Sequence, residues 1–448
     1  MKFFILSMLF FTAEALHAKN CPEYEQLSAD YSINTDQKEI KNYKQNGQQL
    51  IDSSFQKRIE LHFGLTDLNN DCKTKLQNLF TTMRMREDYI GALFYKTPQI
   101  PAESVDYKKA PAPILEGQPY PYHLADQKEK FEFISGDIII TKGTSFVSST
   151  ISEVMIPKSV FSHIVFIHVD SATNVTESME SYIGHGVSRF SISEALKDEN
   201  VRILVLRMKD QTLAKAASEY MYKRIKQSEI NKNPIPYDYD LNFVDNSRMS
   251  CEEIAYDSLK TISKNNFIIP ENSSTVYLKD QDFLKDVGLK SGKMMVPADM
   301  EIDSRFNIVL DWTDYKVIRD SERKDAVSGE MFRWMNEHHY KIQKSFKSKI
   351  AGVIWATRYI PGIWHLLSKI SGIPTDYKKD VPAAAITTMA SINEIGKNML
   401  DHVTIFDEEF NRINSRWMTS AELRSNLNDY RLSHPHELDK IFSPRQSQ

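Results

Sequence analysis

Three short apolar runs rich in β-branched residues constrain the fold most: Asp137-Ile-Ile-Ile-Thr141, His163-Ile-Val-Phe-Ile-His168-Val169 and Val201-Arg-Ile-Leu-Val-Leu206. Branched side chains pack well on a pleated surface and lose rotamer freedom in a helix, so such runs read as strands. Helical patterns at residues 148–156 and 212–228 separate them, and this interleaving predicts an α+β unit with packed helices. The chain has 448 residues, about three times the commonest domain size, so further folding units flank this one. From Cys21 to Phe94 the sequence is polar with spaced apolar residues such as Leu76, Leu79, Phe80 and Met83, a helical cap or hairpin. Six of the 17 prolines then fall between Pro98 and Pro121, which marks an extended connection. After Pro297 the chain turns largely helical through 330–448, with Pro361 and Pro374 interrupting the pattern. The expected organisation is a helical region 19–97, a proline-rich connection 98–129, an α+β domain 130–310 and a helical region 311–448.

Residues 1–18 read as an export signal: Met1-Lys2, an apolar run from Phe3 to Phe11, then Ala13, Ala15 and Ala18 before Lys19. The working compartment is then periplasmic or extracellular. Composition narrows the function classes further. With 56 Lys+Arg against 60 Asp+Glu the net charge is -4, which gives no electrostatic reason to expect nucleic acid. Glycine is scarce at 15 residues, and the nearest approach to a phosphate loop, Gly288-Leu-Lys-Ser-Gly292-Lys293-Met294, is one residue short and lacks the Ser/Thr that would hold magnesium. Glu337-His338-His339 and His434-Pro-His436-Glu437 lack the spacing of a zinc protease, and no nucleophile elbow of the G-x-S-x-G type occurs. No cofactor or metal is expected.

Three cysteines in an exported chain leave one unpaired. Cys21 and Cys72 lie in one segment and can close a loop of about 50 residues, worth roughly 4 kcal/mol in the chain-entropy account. Cys251 is then free. Ser250 followed by Glu253 is a capping box that places Cys251 at the first helical position. Unpaired backbone N–H groups there favour a thiolate and can hold an oxyanion. Glu252 and Glu253 oppose this through their charge, so a basic partner is needed. Ala255, Leu259 and Ile262 share the inward face with Cys251, and on spacing alone a small core residue explains the thiol equally well. Two candidate bases lie on one strand, and alternation sends His163 and His168 to opposite faces, which argues against a shared metal and leaves one of them for a site.

The ordered segments Phe133-Ile-Ser-Gly136-Asp137-Ile138, Phe161-Ser162-His163-Ile-Val-Phe-Ile and Tyr237-Asp238 leading to Met249-Ser250-Cys251-Glu252-Glu253-Ile254 resemble the YiiX/YebB-like cysteine hydrolases. These are the circularly permuted branch of the NlpC-type papain-like superfamily, to which the lecithin retinol acyltransferase group is also related. The resemblance implies an antiparallel sheet with packed helices, Cys251 as nucleophile and His163 as base. In Glu180-Ser-Tyr-Ile-Gly184-His-Gly186-Val187, Glu180 stands where the family carries its third polar residue, and Glu177-Ser178 offers a competing register. The family's tail resembles Val296-Pro-Ala-Asp-Met-Glu-Ile-Asp303-Ser-Arg-Phe306, so the likeness covers residues 130–310. Met249 departs from it, standing where an aromatic residue often precedes the Ser-Cys pair. The implied activity is hydrolysis of a peptide or N-acyl amide by a Cys-His-Glu mechanism, on cell-wall peptide or acyl-amide substrates. A lipid-directed acyl hydrolase or acyltransferase, or a non-catalytic envelope binding protein, is the alternative. Finally, the apolar stretch 350–367 with Trp355 and Trp364 follows Lys341, Lys344, Lys347 and Lys349. It reads as a core helix broken at Pro361, or as a peripheral membrane contact with its tryptophans at headgroup level.

Overall fold

The computed structural model describes residues 21–65, 68–95, 123–125, 131–183, 185–196, 200–239, 241, 243, 245–270, 274–276, 278–286, 292–315, 317–343, 355, 383–438 and 442–444. The export-signal reading of 1–18 and most of the proline-rich connection lie outside them. So does the stretch 350–367, apart from Trp355, which is fully buried. Among the described residues, no helix is long and apolar enough to cross a membrane.

Helices α1 (Cys21–Asp30), α2 (Gln37–Phe63) and α3 (Asn70–Phe94) come first, followed by β1 (His123–Leu124), β2 (Ile138–Gly143), α4 (Phe146–Val154) and β3 (Met155–Ile156). Next are β4 (His163–Val169), β5 (Thr176–Tyr182), β6 (Gly186–Ser191), α5 (Ile192–Ala195), β7 (Asn200–Met208), α6 (Gln211–Ile230) and α7 (Cys251–Ile262). β8 (Thr275–Val276), α8 (Gln281–Asp286), β9 (Gly292–Lys293), α9 (Pro297–Glu301) and β10 (Phe306–Thr313) lead into the C-terminal part. That part holds α10 (Ile318–Glu337), β11 (Tyr340–Ile342), α11 (Ala383–Asn414), α12 (Ser420–Ser433), α13 (Pro435–Leu438) and β12 (Phe442–Pro444).

The architecture is mixed α+β. One antiparallel sheet runs in the order β1-β10-β7-β2-β4-β5-β6. Its two faces are both buried. Ile138, Ile140, Ile164, Phe166, Leu204 and Leu206 share a core with α6 and α7, while Ile139, Val165, Ile167, Ile203 and Val205 pack with Phe133, Leu196 and Trp312 on the other side. Uninterrupted apolar runs are the pattern of strands covered on both faces. The Gly-Asp pair at the start of β2 has a structural cause. Gly136 adopts φ +95 and passes so close to α6 that a Cβ would meet the Ala214 backbone at 2.6 Å, and buried Asp137 accepts from Arg207 Nε and Nη2, each at 2.8 Å.

β10 pairs with β7 from Phe306↔Met208 to Thr313↔Arg202, so the domain end expected at 310 falls inside a strand. The N-terminal helices likewise belong to the sheet's core. Buried Arg58 donates to Glu87 on α3 at 2.8 Å and to Asp311 on β10 at 2.6 Å, and Arg202 on β7 donates to Asp88 at 2.5 Å. Removing one partner from such a buried pair leaves an uncompensated charge, a loss of about 3–5 kcal/mol. The Cys21–Cys72 disulfide joins α1 to α3, with Cα atoms 5.1 Å apart, and Cys251 is free and buried.

Candidate active site

The site begins where β4 and β5 part. Their ladder runs from Val169↔Thr176 to Phe166↔Met179 and stops there. Into the opening comes the N-terminus of α7. Ser181 Oγ on β5 donates to the Met249 carbonyl at 2.6 Å, and Glu253 accepts from the Ser250 N–H at 2.6 Å and the Phe243 N–H at 2.9 Å. These bonds fix the first turn, so Cys251 is presented with the helix's unpaired amides around it. The Ile164 backbone N–H, left without a β5 partner, meets the Cys251 sulfur.

One residue earlier on β4, His163 is held from the other strand. Extending the β4–β5 register puts Tyr182 opposite His163, and the two rings stack with centroids 4.4 Å apart. Glu180, a diagonal neighbour on the same face, accepts from His163 Nε2 at 2.9 Å. Ser178 Oγ donates to its other oxygen at 2.6 Å, and the Tyr182 hydroxyl donates to the oxygen that His163 uses. Glu180 is fully buried. Because a carboxylate only accepts, Nε2 carries a ring proton, and in the neutral imidazole the lone pair is on Nδ1.

The competing residues go elsewhere. Glu177 bonds Arg189 at 3.1 Å. His168 stacks on Tyr222 with centroids 4.0 Å apart and meets Ser218 Oγ at 3.2 Å, on the face that packs against α6, where burial lowers its pKa.

The structure brings His163 and Glu180 together but forms no hydrogen bond between His163 and Cys251. By alternation His163 and Glu180 lie on the sheet face of Val165, whereas Cys251 enters with the core of Ile164, so the thiol reaches the strand's edge and not the ring. It donates instead to Glu252 Oε2 at 3.3 Å. Burial, and then the charge of Glu252, push the thiol pKa well up, while the N–H groups of Ile164 and Cys251 pull it the other way. Burial also raises the Glu252 carboxyl, against its own backbone N–H and the hydrogen bond from Cys251. Burial and the Glu252 charge thus favour the thiol, the form that donates to Glu252, over the thiolate.

Beside the thiol opens a cavity of about 120 Å³ whose wall includes Cys251, Glu252, Ser162 and Tyr237. Burial raises the Tyr237 hydroxyl well above its usual range, with Cys251 and Glu252 adding to the effect. Among the described residues no group of His, Cys, Asp and Glu could hold a metal ion. Sequence reasoning missed Ser178 and Tyr182, although a signal existed: residues 178, 180 and 182 share one strand face by period two. The chain matches no family model, no curated protein and no solved structure.

Proposed function

We propose that the chain is an exported cysteine hydrolase that cleaves an amide bond on a peptide or N-acyl substrate, with Cys251 as nucleophile, His163 as base and Glu180 as the residue that orients the imidazole. The observation that carries this reading is the buried Glu180–His163 pair at 2.9 Å, located one residue before the backbone N–H that meets the Cys251 sulfur. The order of segments along the chain, resembling a circularly permuted papain-like core, supports it. His163 Nδ1 would take the thiol proton as Cys251 attacks the carbonyl, and the same nitrogen would return it to the leaving amine. Backbone N–H groups at the start of α7 would hold the oxyanion. The thiol must first turn from Glu252 to His163; in unliganded sites such bonds are often loose and tighten only with substrate bound.

A second reading, a binding protein with an inert thiol, is favoured by one observation: buried Cys251 is bonded to an acid and not to a base. Turnover of p-nitrophenyl acetate separates the two. The hydrolase reading expects multiple turnovers by the full chain and their loss in Cys251→Ala; equal background hydrolysis by both proteins would support the inert scaffold.

A further inference from the structure

We infer that the cavity beside Cys251 is an acyl-chain pocket: the acyl half of the scissile bond carries a linear aliphatic chain of about six carbons, lying between α4 and α11 with its carbonyl at the sulfur. This rests on the proposal that Cys251 is the nucleophile. Four separate parts of the chain supply the apolar wall: Ile151 on α4, Phe283 on α8, Met295, and Met389 with Ile392 on α11. Convergence of side chains from both the sheet domain and the C-terminal helices makes the cavity a built feature of the assembled fold. Its volume of about 120 Å³ is close to that of an apolar protein cavity of about 150 Å³ that accommodates a six-carbon ring.

Ser162, Cys251 and Glu252 at the thiol end are already engaged. Ser162 Oγ lies 2.6 Å from Ser148 Oγ, and Glu252 holds the thiol. A peptide entering this space would need partners for an N–H and a C=O per residue, and among the described residues the rest of the polar lining is Thr150, Asn393 and the hydroxyl tips of Tyr237 and Tyr239, set in a mostly apolar wall. An alkyl chain needs none, and each methylene moved out of water is worth about four-fold in affinity. The step balances without a co-reactant other than water. The Cys251 sulfur adds to the carbonyl carbon as its proton passes to His163. The bond to the leaving group breaks as that proton is returned, and water then cleaves the thioester to a carboxylic acid and the restored thiol.

The test uses the full chain and p-nitrophenyl esters from acetyl to dodecanoyl, read as released p-nitrophenolate and as acyl mass on the Cys251 peptide. Acylation efficiency should rise about four-fold per methylene, level off near six to eight carbons and fall beyond them. Met389→Trp and, independently, Thr150→Phe fill the cavity and should cut the hexanoyl-to-acetyl ratio by about ten-fold or more. Acetylation of Cys251 with a flat chain-length series, or with the ratio unchanged in both variants, overturns the acyl pocket and leaves the nucleophile in place. No adduct on Cys251 with any ester overturns the nucleophile, and the acyl pocket with it.

Discussion

Glu180→Gln isolates the carboxylate because it keeps the shape and removes the charge. In the native arrangement three donors converge on two oxygens: His163 Nε2 at 2.9 Å, Ser178 Oγ at 2.6 Å and the Tyr182 hydroxyl. An amide offers one oxygen and one N–H₂. The Ser178 and Tyr182 hydroxyls can rotate to accept, so the fold should survive at a loss of about 1–3 kcal/mol. The ring cannot adapt without changing role. If the amide N–H₂ faces Nε2, the proton moves to Nδ1, and Nδ1 is then unable to take the thiol proton. Loss of a charge-assisted hydrogen bond worth about 1.5–3 kcal/mol gives about 10- to 150-fold in rate. The tautomer change extends this towards about 10⁴, the effect of the equivalent Asp→Asn change in a serine protease. The assay is the single-turnover rate of Cys251 acylation by p-nitrophenyl acetate, with circular dichroism to verify folding. Glu177→Gln serves as the control, since its pair with Arg189 is partly exposed and worth about 0–1 kcal/mol. A folded Glu180→Gln protein that acylates at the wild-type rate refutes the reasoning, and loss in Glu177→Gln instead moves the role to that residue.

Three further outcomes follow from the same contacts. Glu252→Gln removes the charge that raises the Cys251 pKa while keeping an amide oxygen as acceptor, so the midpoint of Cys251 alkylation by iodoacetamide should move to lower pH; an unmoved midpoint means that the charge of Glu252 does not set it. Cys21→Ser with Cys72→Ser opens a loop spanning 51 residues and should lower unfolding free energy by about 4 kcal/mol in urea titrations under oxidising conditions, and a loss below about 1 kcal/mol would show that the α1–α3 packing suffices. Burial lowers the His62 pKa from 6.5 to about 4, so the unfolded chain binds the extra proton first as pH falls and stability drops between those values. Going from pH 7.5 to 5.0 should remove about 2 kcal/mol through this residue, and His62→Gln should lose that much less over the same interval; an equal loss in both proteins assigns the pH dependence elsewhere.

The legible part of the fold is local. The runs that became β2, β4 and β7 needed no distant information, because each is apolar on both faces and bounded by polar residues. Parity put Glu180 and Glu177, and likewise His163 and His168, on opposite faces, as the structure has them, while the choice of His163 and Glu180 rested on the resemblance. What escaped depends on partners far along the chain. β10 contains Asp311 at a buried position, which argues against a core strand until Arg58, 253 residues away, is seen to neutralise it. The helical pattern at 148–156 ends two residues early because Met155 and Ile156 pair with β8 instead. The contact between Cys251 and Glu252 joins adjacent residues at a helix start, yet both are buried in a cavity wall shared with Tyr237, Tyr239 and Ile392 from distant parts of the chain, which no local pattern announces. The entry of Cys251 at the edge of β4, away from the His163 ring, was likewise hidden, since it is set by where the β4–β5 ladder stops.

The most direct test of the central claim is to react the full chain with p-nitrophenyl acetate at neutral pH, quench within the first turnover and map the acetyl group by peptide mass. The account predicts one transient acetyl group on Cys251, lost in His163→Ala and retained in His168→Ala. An unmodified Cys251, or an adduct formed as fast in His163→Ala as in the native protein, would contradict it.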